Sequence, residues 1–96
     1  MNRAIFIFYL LSLFIFANDL NISIEKINKI AISGDIKKAI KLVEKKIKNE
    51  PDSKDLHLLR AKLLYWNRKF NRALREITSY KKYDQELYKR IYIAWA

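Results

Sequence analysis

Apolar side chains recur at spacings of three and four residues along most of the chain, which is the pattern of amphipathic α-helices. The pattern predicts helices over residues 21–32, 35–48, 54–66, 70–81 and 84–96. The third of these is apolar almost all round, so we expect it to be buried between its neighbours. Because helix-forming residues dominate and the chain has one glycine and one proline, the predicted fold class is all-α.

The second predicted helix has the clearest apolar face and the clearest boundaries. Its apolar positions are Ile36, Ala39, Ile40, Val43 and Ile47, and lysines cover the other faces. Gly34 is expected to end the preceding helix in the left-handed conformation, and Asp35 to cap the N-terminus of this one. Pro51 cannot continue the helix and stops it. Asn67 is expected to substitute for glycine at the end of the third helix.

A second copy of this pattern follows at a fixed offset. Adding 34 to Gly34 gives Arg68, and adding 34 to Ala39 gives a second alanine, Ala73. A period of 34 with Gly-Asp-x-x-x-Ala and a closing proline resembles the tetratricopeptide (TPR) repeat. The resemblance implies antiparallel helical hairpins, stacked as a short solenoid of about two and a half repeats over residues 18–96. The alternative is a generic pair of helical hairpins.

The TPR resemblance also implies a binding surface. TPR domains bind proteins or peptides on a concave face formed by the first helix of each repeat. The positions that the resemblance places on this face are Ile24, Asn28, Ile32, Leu58, Lys62, Tyr65 and Trp66. Chaperone-binding TPR domains clamp a terminal carboxylate through a lysine whose position Ile24 occupies here, so an extended or helical apolar peptide is the implied ligand. The alternative is that these side chains pack on the terminal helix and bind nothing.

The N-terminal segment differs from the rest of the chain. Arg3 supplies a positive charge, residues 4–16 are almost entirely apolar, and the small residue Ala17 precedes polar ones. This pattern predicts a secretory signal peptide over residues 1–17 and an exported protein of the periplasm or cell envelope. The segment from Leu58 to Leu74 also resembles a TPR-like segment of exported bacterial proteins. As a helix the apolar run spans about 20 Å, against about 30 Å of hydrocarbon, so an uncleaved membrane anchor is the weaker alternative.

The composition leaves few groups for catalysis. The chain has no cysteine, which excludes a disulfide framework, a thiol nucleophile and a cysteine-ligated zinc site. Its one histidine, His57, is expected to be a hydrogen-bonded surface or cap residue and not a general base. The sequence has no phosphate-binding glycine loop and no nucleophile motif. It therefore predicts no catalytic, metal or cofactor site, and a protein that is not an enzyme.

The formal net charge of +10 is spread over the solvated faces of the helices, so we interpret it first as a solubility feature. The expected function is a non-enzymatic protein–protein interaction module with a protein or peptide partner and no nucleic acid. The apolar helix over residues 84–96 favours a homodimer or docking on a partner. The alternatives are a membrane-tethered basic protein that binds anionic lipid, a cytoplasmic nucleic-acid binder, and a truncated remnant of a longer TPR-containing envelope protein.

Overall fold

The computed structural model describes residues 22–96, which form α-helices and one short 3₁₀ helix with no strand among them. The α-helices are α1 (Ile24–Ile32), α2 (Ile36–Asn49), α3 (Lys54–Trp66), α4 (Phe70–Thr78) and α5 (Gln85–Trp95), and the 3₁₀ helix is Lys81–Tyr83. The all-α prediction is confirmed over this range. The predicted signal peptide, residues 1–17, and Asn21 at the start of the first predicted helix lie outside the described residues.

Local side-chain chemistry sets where most of the helices begin. Four helices have an N-cap side chain whose oxygen accepts a backbone N–H three residues later, at 3.0 to 3.4 Å. These N-caps are Ser23, Asp35, Ser53 and Asp84. The predicted cap at Asp35 is therefore confirmed. Lys69 precedes α4 and makes no such bond, so α4 starts without a side-chain cap.

The end of α1 is closed by a Schellman motif at Gly34. Gly34 has a φ of +110°, in the left-handed region that favours glycine. Its N–H donates to the carbonyl of Ala31 at 3.1 Å, and the N–H of Asp35 donates to the carbonyl of Ile30 at 3.2 Å. This pair of bonds satisfies the last carbonyls of α1, as expected for a helix that ends on glycine.

The end of α3 repeats this motif, but the left-handed residue is not the one expected. Asn67 has a φ of −84°, and Arg68 adopts the left-handed conformation with a φ of +61°. The closing bonds run from the N–H of Arg68 to Tyr65 at 3.0 Å and from the N–H of Lys69 to Leu64 at 2.8 Å. These two bonds require the left-handed residue at position 68, so the prediction for Asn67 is wrong. The two left-handed turns lie 34 positions apart.

Helix α4 is shorter than predicted. It ends at Thr78 instead of residue 81, and the N–H of Tyr80 closes a turn on the carbonyl of Ile77 at 2.9 Å. The Thr78 hydroxyl donates to the carbonyl of Leu74 at 2.6 Å. Because Thr and Ser side chains compete with the backbone for such carbonyls, Thr78 and Ser79 favour a helix end over a further turn.

The core is one continuous cluster of aliphatic side chains from all five α-helices, with no buried polar residue in the described range. Its largest fully buried members are Ile27, Val43, Leu56, Leu63, Leu64, Ile77 and Ile91. Four of the five predicted apolar positions of α2 are buried and the fifth, Ile36, is half-buried; Leu42 is also buried. Ala39 and Ala73 are both fully buried, and side chains this small allow helices to approach closely.

Each α-helix packs against the next one along the chain, and α1 also contacts α3. Connections of three or four residues join α1 to α2, α2 to α3 and α3 to α4, so these neighbours form antiparallel hairpins. Helix α3 packs against α1, α2 and α4 and contributes five buried side chains, which confirms that it is buried between its neighbours. Between residues 22 and 96, none of the helices combines the length and the apolarity needed to cross a lipid bilayer.

Candidate binding surfaces

The α1 part of the predicted concave face is mixed in character. Ile24 is half-buried against the core, while Ile32 is 74% exposed at the end of the helix. Asn28 lies one turn before Ile32 and is half-buried. Its Oδ1 atom is buried and has no hydrogen-bond partner among the described residues. A buried amide oxygen without a hydrogen bond destabilises a fold by about 1–3 kcal/mol.

The α3 part of this face brings two of the predicted residues together. The ammonium of Lys62 lies 5.0 Å from the centre of the Trp66 ring, in a cation–π contact, and Trp66 is 41% exposed. Leu58, one turn before Lys62, is half-buried against the core. Tyr65 is turned towards the next helix, since its ring lies 6.0 Å from the ring of Phe70 in α4. The available surface is therefore made by Lys62 and Trp66.

A cleft of about 170 Å³ lies beside Lys62, between α3 and the start of α5. Its other lining residues are Asp84, Glu86, Leu87 and Arg90. Leu87 is 9% exposed and forms the apolar part of the wall, and Glu86 pairs with Arg90 at 2.7 Å. Sequence reasoning missed this cleft because its two sides are distant in sequence and only helix packing joins them.

A second, larger cleft of about 320 Å³ lies between α3 and α4, and it is rich in arginine. We call it the arginine cleft and define it by its lining residues Arg60, Leu64, Arg72, Arg75 and Glu76. Sequence reasoning did not predict it. The spacing of these residues could have indicated the cleft. It places Arg60 and Leu64 on one side of α3, and it places Arg72, Arg75 and Glu76 on one side of α4.

His57 lies beside the arginine cleft, where it makes hydrogen bonds and a stacking contact. Its Nδ1 atom lies 2.5 Å from a carboxylate oxygen of Glu76, and its Nε2 atom lies 2.6 Å from the carbonyl oxygen of Pro51. Its ring stacks on Tyr80 at 4.8 Å with an interplanar angle of 11°. Arg60 donates to both oxygens of Glu76 at 2.9 and 2.8 Å. His57 thus joins the turn before α3 to α4, as a hydrogen-bonded residue of the kind that the sequence led us to expect.

The outer face of α5 is apolar and exposed. Tyr92, Ile93 and Trp95 are 49%, 74% and 47% exposed. The ring of Tyr92 lies 5.9 Å from that of Trp95 and 6.1 Å from that of Tyr88, so the aromatic residues form a row along the helix. The indole N–H of Trp95 donates to Oδ1 of Asn71 at 2.6 Å, which ties the end of α5 to α4.

Residues 22–96 contain no group of three or more His, Cys, Asp or Glu side chains arranged to hold a metal ion. No protein-family model, no curated protein and no solved structure matches this chain. The assignment of function therefore rests on the surfaces described above.

Proposed function

We propose that this protein is a non-enzymatic protein–protein interaction module of the periplasm or cell envelope, built from TPR-like repeats. Two features that recur with the same offset support the repeat. The left-handed turn at Gly34 recurs at Arg68, and the fully buried alanine Ala39 recurs as Ala73. A backbone turn and a close helix contact that return together at a spacing of 34 are what a TPR-like hairpin requires.

The proposed binding surface, called the groove below, is the predicted concave face of α1 and α3 together with the cleft between α3 and the start of α5. The observation that carries it is the exposed Trp66–Lys62 pair beside the cleft between α3 and α5. A half-exposed aromatic ring with a cation over its face and an apolar wall at Leu87 suits an extended or helical apolar peptide segment.

Tryptophan fluorescence tests this groove directly, because the chain has two tryptophans in different places. In the Trp95→Phe variant, Trp66 is the remaining reporter, and we expect an apolar helical peptide to shift its emission to the blue as the ring loses water. In the Trp66→Phe variant, Trp95 reports from the outer face of α5 and should not respond. A shift confined to Trp95, or no saturable shift from Trp66 with any apolar peptide, would contradict the groove.

The proposal includes self-association through α5, which would cover its exposed aromatic row. Exposed apolar patches of this kind mark interaction sites more often than free surface. Export is the part of the proposal that rests on residues 1–17 alone, and it is tested separately below.

A further inference from the structure

We propose that the arginine cleft is a second binding site, which takes the carboxylate groups of an acidic segment of a partner protein. The site is separate from the groove, because its arginines Arg72 and Arg75 belong to α4, and α4 contributes nothing to the predicted concave face. The inference therefore stands or falls independently of the proposed function.

The cleft concentrates positive charge over an apolar floor. Leu64 is 2% exposed and closes the bottom, and three arginines from two helices surround it. Glu76 is the only acid in the lining, and Glu44 of α2 pairs with Arg72, so the three arginines keep an excess of one positive charge. Like charges that line one cleft repel each other, and an anion bound between them weakens that repulsion.

The three arginines are not equally available. Arg60 donates to both oxygens of Glu76, and the two side chains are only 24% and 14% exposed. This ion pair therefore forms one side of the cleft and leaves Arg60 little capacity to bind a ligand. Arg72 makes one longer bond of 3.3 Å to Glu44 of α2, with a side chain 51% exposed. Arg75 is exposed, and its side chain has no hydrogen bond or ion pair within residues 22–96. Arg75 and Arg72 are therefore the groups that a ligand would engage.

The chemistry of the cleft favours a carboxylate over a phosphate. The arginines of the cleft already hold carboxylates of this chain, Glu76 and Glu44, so the guanidinium groups are oriented for that geometry. The open cleft of about 320 Å³ admits a glutamate or aspartate side chain with its neighbouring backbone.

The test measures binding of a fluorescein-labelled, glutamate-rich peptide to the purified full chain by fluorescence anisotropy at low salt. We expect Arg75→Gln to weaken binding by about tenfold, and Arg72→Gln combined with Arg75→Gln by about a hundredfold, since each lost charge-assisted bond is worth about a factor of ten. The same peptide with glutamine in place of glutamate should not bind. Circular dichroism confirms that each variant is folded, and both positions are exposed enough to tolerate glutamine.

Lys26→Gln is the control for charge, because Lys26 is exposed on α1 and lines neither cleft. It should change binding by less than about twofold. An equal loss in Lys26→Gln and Arg75→Gln would show diffuse attraction to a basic protein and overturn the site. Competition separates the two anions when their charges are similar: malonate, a dicarboxylate, should displace the peptide at least as well as inorganic phosphate at equal ionic strength. Displacement by phosphate at far lower concentrations than malonate would overturn the carboxylate assignment.

Discussion

At the scale of the residue, two positions close a helix with the same left-handed backbone conformation, but only one of them has a residue that favours it. Gly34 and Arg68 both take the left-handed conformation that closes a helix, at φ values of +110° and +61°. Glycine adopts this region without steric cost, whereas a residue with a Cβ atom loses about 1–2 kcal/mol there. The turn after α3 is therefore strained, and the turn after α1 is relaxed.

We expect Arg68→Gly to raise the free energy of unfolding by about 1 kcal/mol, and Gly34→Ala to lower it by about 1–2 kcal/mol. A Cβ atom at Gly34 would have no atom within 4 Å, so the loss would come from the backbone conformation alone. Urea denaturation of the full chain measures both changes. Arg68→Ala is the control, since it removes the charge and keeps the strain, and it should leave stability nearly unchanged. Equal stabilisation by Arg68→Ala would assign the effect to charge.

At the scale of the element, α5 has one buried face and one exposed apolar face. Leu87 and Ile91 are buried and complete the core beside α4. Tyr92 and Ile93 point to solvent. Deletion of residues 87–96 would remove both faces, so we expect it to unfold the domain or abolish self-association without separating the two effects. A single change on the exposed face separates them.

Ile93→Lys is the change that tests self-association through α5. Ile93 is 74% exposed, so the free energy of unfolding should change by less than about 0.5 kcal/mol. If the exposed face is a dimer interface, the dissociation constant should rise by at least about tenfold, because a buried isoleucine contributes about 1.5–3 kcal/mol. Sedimentation velocity over a concentration series measures it.

Ile32→Lys is the matched control for this measurement, since Ile32 is also 74% exposed, at the end of α1, and the substitution adds the same charge. The control should dimerise like the unaltered protein. A full chain that stays monomeric throughout the series would contradict a dimer, and an equal loss in both variants would assign the effect to the added charge instead of the exposed face of α5.

At the scale of the whole molecule, location decides which partners the two surfaces can meet. The export prediction concerns residues 1–17, which lie outside the described residues. A positive residue followed by a short apolar run and a small residue is typical of a signal peptide that is removed after export. An exported protein would meet envelope proteins and acidic segments there, and not nucleic acid.

We expect the native protein from fractionated cells to be roughly 2 kDa lighter than the full chain of 11.6 kDa and to be found in the soluble envelope fraction. Intact-mass spectrometry of each fraction measures this. The full mass in the membrane fraction would contradict cleavage and favour a tethered protein whose exposed lysines contact anionic lipid. A cytoplasmic protein of any mass would contradict export.

The amino-acid sequence by itself determined the elements of this protein. The predicted start at Asp35 and end at Gly34 are confirmed, because caps and Schellman turns depend on bonds between residues at most five positions apart. The predicted apolar face of α2 is confirmed because helical periodicity alone selects the side that faces a neighbour. The predictions for the left-handed residue at Asn67 and for the end of α4 were wrong because, at both places, neighbouring residues can form nearly equivalent turns.

Only the tertiary structure decided which surfaces exist. The arginine cleft joins Arg60 to Glu76 and Arg72 to Glu44, pairs that are 16 and 28 positions apart. The same packing turned Tyr65 towards α4 and left Trp66 beside Lys62, although the TPR resemblance had placed all three on one face. Periodicity predicts the side of a helix that is buried, but the neighbour that covers it depends on how every helix packs at once.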